Sequence, residues 1–221
     1  MSERISAAAM RKFLGLYLVI GSVDCRQEPL QVAEEALAGG ATMIQFREKG
    51  SGALTGEPKL RLAEKLQAVC RRAGVPFIVN DDVELALAID ADGIHVGQED
   101  ESASQVRERV EGRILGVSVH TVEEAQLAIH SGADYLGIGP VYPTASKADA
   151  REPQGPSFIR RLRECGIREP LVAIGGITAA RAGEVIRAGA DGIAVISAVT
   201  QAADVRKAVE ELHAAAAYGR G

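Results

Sequence analysis

Eight short apolar runs, at residues 16–20, 42–46, 76–79, 93–96, 114–118, 135–138, 171–174 and 192–196, alternate with helix-period segments about a dozen residues long. That alternation is what repeated strand–helix units around a parallel sheet require. Helices are expected over 31–38, 58–73, 102–110, 122–131, 179–188 and 203–215, and the short stretch 83–89 has to serve the third unit. Residues 5–14 read as one more helix ahead of the first strand. The fold class expected is therefore α/β, a TIM (β/α)8 barrel with an extra N-terminal helix. With 221 residues and 47% hydrophobic content, one barrel domain spanning 1–221 accounts for the length, because such barrels reach this size around one core. No linker or composition shift divides the chain.

A faint internal repeat supports the count of units. Gly40-Ala41-Thr42, Ala91-Asp92-Gly93, Gly132-Ala133-Asp134 and Gly189-Ala190-Asp191 each follow a helical segment and precede a strand. Glycine at such a point can take the left-handed conformation that closes a helix, so the repeat marks the lower rim of the barrel. Chemistry is then expected at the opposite rim, where the strands end.

The net charge of −5, with both signs interspersed, favours neither nucleic acid nor an acidic membrane surface, and points to small-molecule partners. The longest apolar stretches are strand-length, and Glu3, Arg4, Arg11 and Lys12 interrupt any signal-peptide core, so a cytoplasmic protein without a membrane span is expected. Cys25, Cys70 and Cys165 are odd in number and lack CxxC spacing; they read as buried or half-buried free thiols rather than a disulfide framework or zinc site.

Three polar clusters directly follow apolar runs: Gln45-Phe46-Arg47-Glu48-Lys49, Asn80-Asp81-Asp82 and Gln98-Glu99-Asp100. Strand alternation puts Gln45, Arg47 and Lys49 on one side, toward the barrel axis. Arginine's fork of donors and lysine's compact charge suit a polyphosphate, unless they are taken up in internal salt bridges with carboxylates such as Glu48. Asp81 and Asp100 suit Mg2+, which often takes one or two protein carboxylates plus phosphates and waters. Their alternative is helix capping, open above all to Asp82 and Asp100.

The sixth unit ends in a long polar loop from Gly137 through Gln154-Gly155, a binding loop or lid in which Thr144, Ser146 and Lys147 can hold a phosphate, or else a solvated connection. Gly175-Gly176 after the seventh strand and Ile196-Ser197 after the eighth sit where barrels bind phosphate through backbone N–H groups. Ser118 and His120 can face the mouth, whereas His95, inside the fourth strand, reads as an internally satisfied core residue. His130 and His213 belong to no visible constellation.

Taken in order, Gln45-Phe46-Arg47-Glu48-Lys49, Asn80-Asp81-Asp82, His95-Val96-Gly97-Gln98-Glu99-Asp100, Gly116-Val117-Ser118-Val119-His120, Gly139-Pro140-Val141-Tyr142-Pro143-Thr144 and Ile174-Gly175-Gly176-Ile177 strongly resemble the thiamine phosphate synthase family. The resemblance covers about residues 17–198. It implies a transferase that joins 4-amino-2-methyl-5-hydroxymethylpyrimidine diphosphate to 4-methyl-5-(2-phosphoethyl)thiazole, or its carboxylated form, giving thiamine phosphate and pyrophosphate. It also implies that Gln45, Phe46, Arg47, Glu48, Lys49 and Asn80 bind the pyrimidine diphosphate, joined by Ser118 and Lys147, and that Asp81 and Asp100 hold Mg2+. Thr144, Ala145, Ser146, Gly176, Ile196 and Ser197 would surround the thiazole phosphate, with Arg47, Ser118 and Lys147 as the catalytic groups. Where the family commonly shows Thr-x-Thr-Lys, the chain has Thr144-Ala145-Ser146-Lys147, which keeps the hydroxyl and loses a methyl. Two other readings stand beside it: a thiazole tautomerase of a related barrel, with His120 as acid or base, and a phosphate-binding barrel without catalysis.

Overall fold

The computed structural model describes residues 4–146 and 151–219. Strands β1 (Leu16–Ile20), β2 (Met43–Phe46), β3 (Phe77–Asn80), β4 (Gly93–Val96), β5 (Ile114–Val119), β6 (Tyr135–Ile138), β7 (Leu171–Ile174) and β8 (Gly192–Val195) form a closed barrel in sequence order. Every neighbouring pair is parallel, and β8 closes on β1 through the register Leu16↔Ile193 to Leu18↔Val195. This is the TIM architecture. The helices are α1 (Ala7–Phe13), α2 (Pro29–Ala38), α3 (Gly56–Ala73), α4 (Val83–Ala88), α5 (Ala103–Val110), α6 (Val122–His130), α7 (Gly155–Glu164), α8 (Ala179–Arg187), α9 (Ser197–Thr200) and α10 (Val205–Tyr218). Local chemistry starts several of them: Asp82, Ser102, Thr121 and Asp204 each accept a hydrogen bond from a backbone N–H in the first turn of the helix that follows.

Side-chain parity along the strands produces two cores. Leu16, Leu18 and Ile20 of β1 point outward with Ile44, Phe46, Phe77 and Val79 and pack under the helices; Phe46 and Phe77 stack at 6.3 Å. Tyr17 and Val19 point inward with Met43, Ile78, Ile114, Tyr135, Val172, Ala194 and Ile196. Met10 and Leu14, both fully buried, join this inner cluster, so the extra N-terminal helix is a plug for the lower end of the barrel.

The lower rim explains the internal repeat. Thr42 Oγ1 accepts the backbone N–H of Leu16 at 2.8 Å; Asp92, Asp134 and Asp191 accept those of Phe77, Leu115 and Leu171, also at 2.8 Å. Each acceptor stands immediately before an even-numbered strand and holds the foot of the odd-numbered strand beside it, so the barrel is four two-strand units in series. The residue two positions earlier is left-handed every time: Gly40 (φ 102°), Asp90 (φ 53°), Gly132 (φ 86°) and Gly189 (φ 113°). The second repeat is therefore Asp90-Ala91-Asp92, one residue earlier than the sequence alignment Ala91-Asp92-Gly93, with an aspartate replacing the usual glycine. Arg107 and Arg163 brace Asp134 and Asp191 at 2.7 Å. Arg4 reaches Asp134 at 2.7 Å and Arg11 reaches Asp191 at 3.1 Å, which pins the plug.

Most element ends agree with expectation to within two residues, the larger offset being α10, which runs on to Tyr218. The short 3-10 turn Ser22–Asp24 and α9 were not anticipated. Cys25 is half-buried and Cys70 buried, but Cys165 is exposed, contrary to expectation, because it is the C-cap residue of α7, past the last buried residue of that helix, Leu162. Among the described residues no helix is long and apolar enough to cross a membrane.

The rim contacts differ in burial, and their energies should differ accordingly. Replacing Asp134 with Ala strands the half-buried Arg107 and an internal N–H and is expected to cost about 3 kcal/mol. Asp92→Ala, at an exposed position, should cost about 1 kcal/mol. Urea midpoints of the two variants measure the difference; equal losses would remove the distinction.

Candidate active site

The inward positions nearest the strand ends reach the opposite rim, where one cavity opens. It is lined by Arg47, Lys49, Asn80, Asp81, His95, Gln98, Asp100, Ser118, His120, Thr144, Ser146, Gly175, Gly176, Ile196 and Ser197, with Glu99 and Arg151 at its edge. Arg47 is 7% exposed, seated one inward position above Gln45 on the chain that leaves β2. Ser118, inward on β5, receives a hydrogen bond from His95 or gives one to it: the Nε2 to Oγ distance is 2.8 Å. Gln98 Nε2 donates to the Ser118 carbonyl at 2.7 Å and ties the loop after β4 to the end of β5.

One side of the cavity gathers charge. Lys49 Nζ contacts the Asp81 carboxylate and lies 4.0 Å from Asp100 Oδ1. Burial pushes the Asp81 carboxyl up to about 6; the adjoining Asp100 carboxyl adds to the rise and Lys49 opposes it. Asp100 shifts the other way: burial works against its ionisation, but hydrogen bonds from the Asp81 carboxyl and the Gly97 N–H, the latter at 2.8 Å, outweigh it. The two carboxyls thus shift in opposite directions beside one ammonium. Asp81 also holds φ at 61°, a conformation that costs energy for a residue other than glycine and is found at functional sites. Among the described residues no three His, Cys, Asp or Glu side chains converge as a metal group, so these two carboxylates are the oxygen donors on hand for a hard cation.

The other side is built from backbone and hydroxyls. Gly175 and Gly176 have φ of 102° and 61°, and a Cβ on either would come within 2.6 Å of Pro140 Cα or Pro143 O. Only glycine lets the chain pass there. Ser146 Oγ donates to Ser197 Oγ at 3.0 Å, joining the loop after β6 to the start of α9.

The sequence-expected residues divide. Arg47, Lys49, Asn80, Asp81, Asp100, Ser118, Thr144, Ser146, Gly176, Ile196 and Ser197 meet around this cavity. Gln45 lies below it in the barrel interior, its Nε2 donating to Tyr17 Oη at 2.7 Å. Phe46 points outward into the helix layer. Glu48 faces away from both cations: it accepts from the Ser22 N–H at 2.8 Å, the Ser22 hydroxyl and the Leu54 N–H at 2.7 Å, and so fastens the loops after β1 and β2. Ala145 is exposed beside the cavity without lining it, and Lys147 lies outside the described residues. Capping falls to Asp82, which accepts from Leu85 N and pairs with Lys59 at 2.6 Å, and to Ser102 rather than Asp100. His95 is satisfied within the core, as read from the sequence, yet it also borders the cavity. Arg151 was not singled out; it lies 3.6 Å from Glu99 and 4.0 Å from Glu124, and its place in a long polar loop was the only signal for it.

The chain matches the family described as thiamine monophosphate synthase over residues 16–199. It is similar to a thiamine-phosphate synthase of Geobacillus kaustophilus (strain HTA426), 58% identical over 209 residues that span 95% of each chain. Another, from Bacillus cereus, is 54% identical over 210 residues, covering 95% of this chain and 96% of the relative. Among solved structures, thiamine phosphate pyrophosphorylase from Pyrococcus furiosus superposes with a TM-score of 0.86 at 41% identity, over 96% of this chain and 100% of that one. A barrel of this topology, with paired carboxylates and a glycine cradle at one mouth and a family match across all eight of its strands, belongs to the thiamine monophosphate synthase family of enzymes.

Proposed function

We propose that this enzyme condenses the pyrimidine diphosphate with the thiazole phosphate to give thiamine phosphate and pyrophosphate. The supporting observation is that one cavity gathers two clusters of different make: Arg47, Lys49 and the Asp81–Asp100 pair on one side, Gly175, Gly176, Ser146 and Ser197 on the other. A diphosphate fits the first and a monophosphate the second.

The donor set fits Mg2+: two neighbouring carboxylates, one of them pushed up by burial and by the other, would gain from a hard cation. When bound by Asp81 and Asp100, Mg2+ would supply positive charge that stabilises the departing pyrophosphate. Arg47 presents its guanidinium to the diphosphate from a buried seat, where fixed donors act without reorganising. Lys49 adds a second cation beside the same oxygens. Ser118 offers its hydroxyl to the pyrimidine amine or the leaving group. The carbon–oxygen bond breaks to leave a benzylic-type cation on the pyrimidine, and the thiazole nitrogen attacks with its own lone pair, so the enzyme needs no general base or covalent nucleophile. Thr144 and Ser146 in the loop after β6 hold the thiazole phosphate and limit water at the cation.

His120 gives the tautomerase reading its one support, since it lines the cavity with Nδ1 3.3 Å from Glu124 Oε2. That reaction would leave the paired carboxylates and Lys49 without a task.

Supplied with both substrates and Mg2+, the protein should release pyrophosphate in step with thiamine phosphate; isomerised thiazole without coupling would select the tautomerase. Asp81→Ala and Asp100→Ala should each lower kcat/KM at least about a hundredfold. Unchanged Mg2+-dependent turnover in either variant removes the metal assignment. Gly176→Ala, which forces a side chain toward the Pro143 carbonyl, should raise KM for the thiazole phosphate about tenfold or more and leave that for the pyrimidine diphosphate within about twofold. Equal effects on both would merge the two anion sites.

A further inference from the structure

The inner layer of such a barrel is ordinarily filled by branched aliphatic side chains. Here a line of polar ones crosses it. Gln45 on β2 donates to Tyr17 on β1 at 2.7 Å, Tyr17 Oη lies 2.9 Å from Tyr135 Oη on β6, Tyr135 Oη lies 2.9 Å from His95 Nδ1 on β4, and His95 Nε2 lies 2.8 Å from Ser118 Oγ on β5. Five strands contribute one group each, and the line ends at the cavity.

We infer that Tyr17, Tyr135 and His95 form a directed hydrogen-bond relay whose effect is to turn the Ser118 hydroxyl proton toward the substrate, which makes them positioning residues for the condensation. This rests on the reading of Ser118 as a group that touches substrate.

The direction follows from what each atom can do. An amide nitrogen only donates, so the Gln45 Nε2 proton goes to the Tyr17 oxygen. Giving the one Tyr17 proton to Tyr135, and the Tyr135 proton to His95 Nδ1, is the arrangement in which both buried phenol protons meet an acceptor. A neutral imidazole that accepts at Nδ1 carries its proton at Nε2, so it donates to Ser118 Oγ. The single Ser118 proton is then left for the cavity. Burial pushes both phenols well above their ordinary range, so they remain neutral donors.

The backbone is shaped around this line. A Cβ on Gly116 would lie 2.1 Å from Tyr135 Cζ and 2.5 Å from His95 Nδ1, and one on Gly137 would lie 2.9 Å from His95 Cε1. Two strands thus give up their side chains to seat the rings of Tyr135 and His95, whose centroids are 5.4 Å apart. Burying four polar side chains costs desolvation that an aliphatic layer would avoid, and space filling alone does not call for it.

A double-mutant cycle on kcat tests the relay. Ser118→Ala should give the largest loss. Tyr135→Phe should lower kcat about tenfold in the native background, with both KM values within about twofold, and have no further effect in the Ser118→Ala background. His95→Gln, which keeps an N–H near the position of Nε2, should retain more kcat than His95→Asn. The same Tyr135→Phe factor in both backgrounds, or better rescue by Asn than by Gln, overturns the relay. Imidazole nitrogen chemical shifts of the native protein supply a readout independent of turnover: His95 should be bare at Nδ1 and protonated at Nε2, and Tyr135→Phe should erase the preference. Normal turnover with the proton on Nδ1 overturns the relay alone. Absence of pyrophosphate release overturns the reaction assignment, and the positioning role with it, whichever tautomer is seen.

Discussion

At the foot of every odd-numbered strand, a backbone N–H is met by a side-chain oxygen borne just before the next strand, from Thr42, Asp92, Asp134 and Asp191. An N–H in that position has no ladder partner yet and would be costly to leave unpaired. The contact also sets which residue of one strand lies beside which residue of the next. Because side chains alternate with a period of two, a slip of one residue would exchange the inner and outer faces. The placement of Arg47, Asn80 and Ser118 at the mouth, and of Phe46 and Val117 under the helices, follows from that register.

The two faces of the barrel obey different rules. The outer one is almost wholly apolar and buries the helices' inward stripes. The inner one mixes Met, Val and Ile with Tyr17, Tyr135, His95 and Gln45, and closes below on Met10 and Leu14. Its polar members are tolerable because each finds a partner at 2.7–2.9 Å, which is the condition for burying such groups at all. The interior is therefore continuous from plug to cavity, and a change deep within it can reach the mouth through hydrogen bonds rather than through movement of the backbone.

Much of this was legible in the chain itself. Eight strand-length runs alternating with helix-period segments pointed to the topology, and the polar residues just beyond strands β2, β3, β4 and β5 marked the working rim. What escaped did so for identifiable reasons. Gln45, Arg47 and Lys49 share a parity, but parity does not give height along the axis, and Gln45 sits one layer too low to line the cavity. Glu48 was expected near the cations; pointing the other way, it meets the Ser22 and Leu54 N–H groups, a loop contact that no local pattern announces. His95 read as a core residue and is one, yet only the glycines opposite it, at positions 116 and 137, reveal that the core there was hollowed to receive it. The rim repeat was visible but misaligned at its second copy, because Asp90 takes the left-handed turn that glycine takes in the other three.

Aspartate serves opposite purposes at the two ends of the molecule. Asp134 is saturated: one oxygen takes Arg4, the other takes Arg107 and the Leu115 N–H, and nothing remains for a ligand. Asp81 has Lys49 on one side and a like-charged carboxyl on the other, on a backbone bent to φ 61°. The first arrangement lowers the energy of the folded chain and the second raises it. Under the proposed function a bound cation and a diphosphate would relieve that raised site, so the strain at the mouth would be energy available to binding.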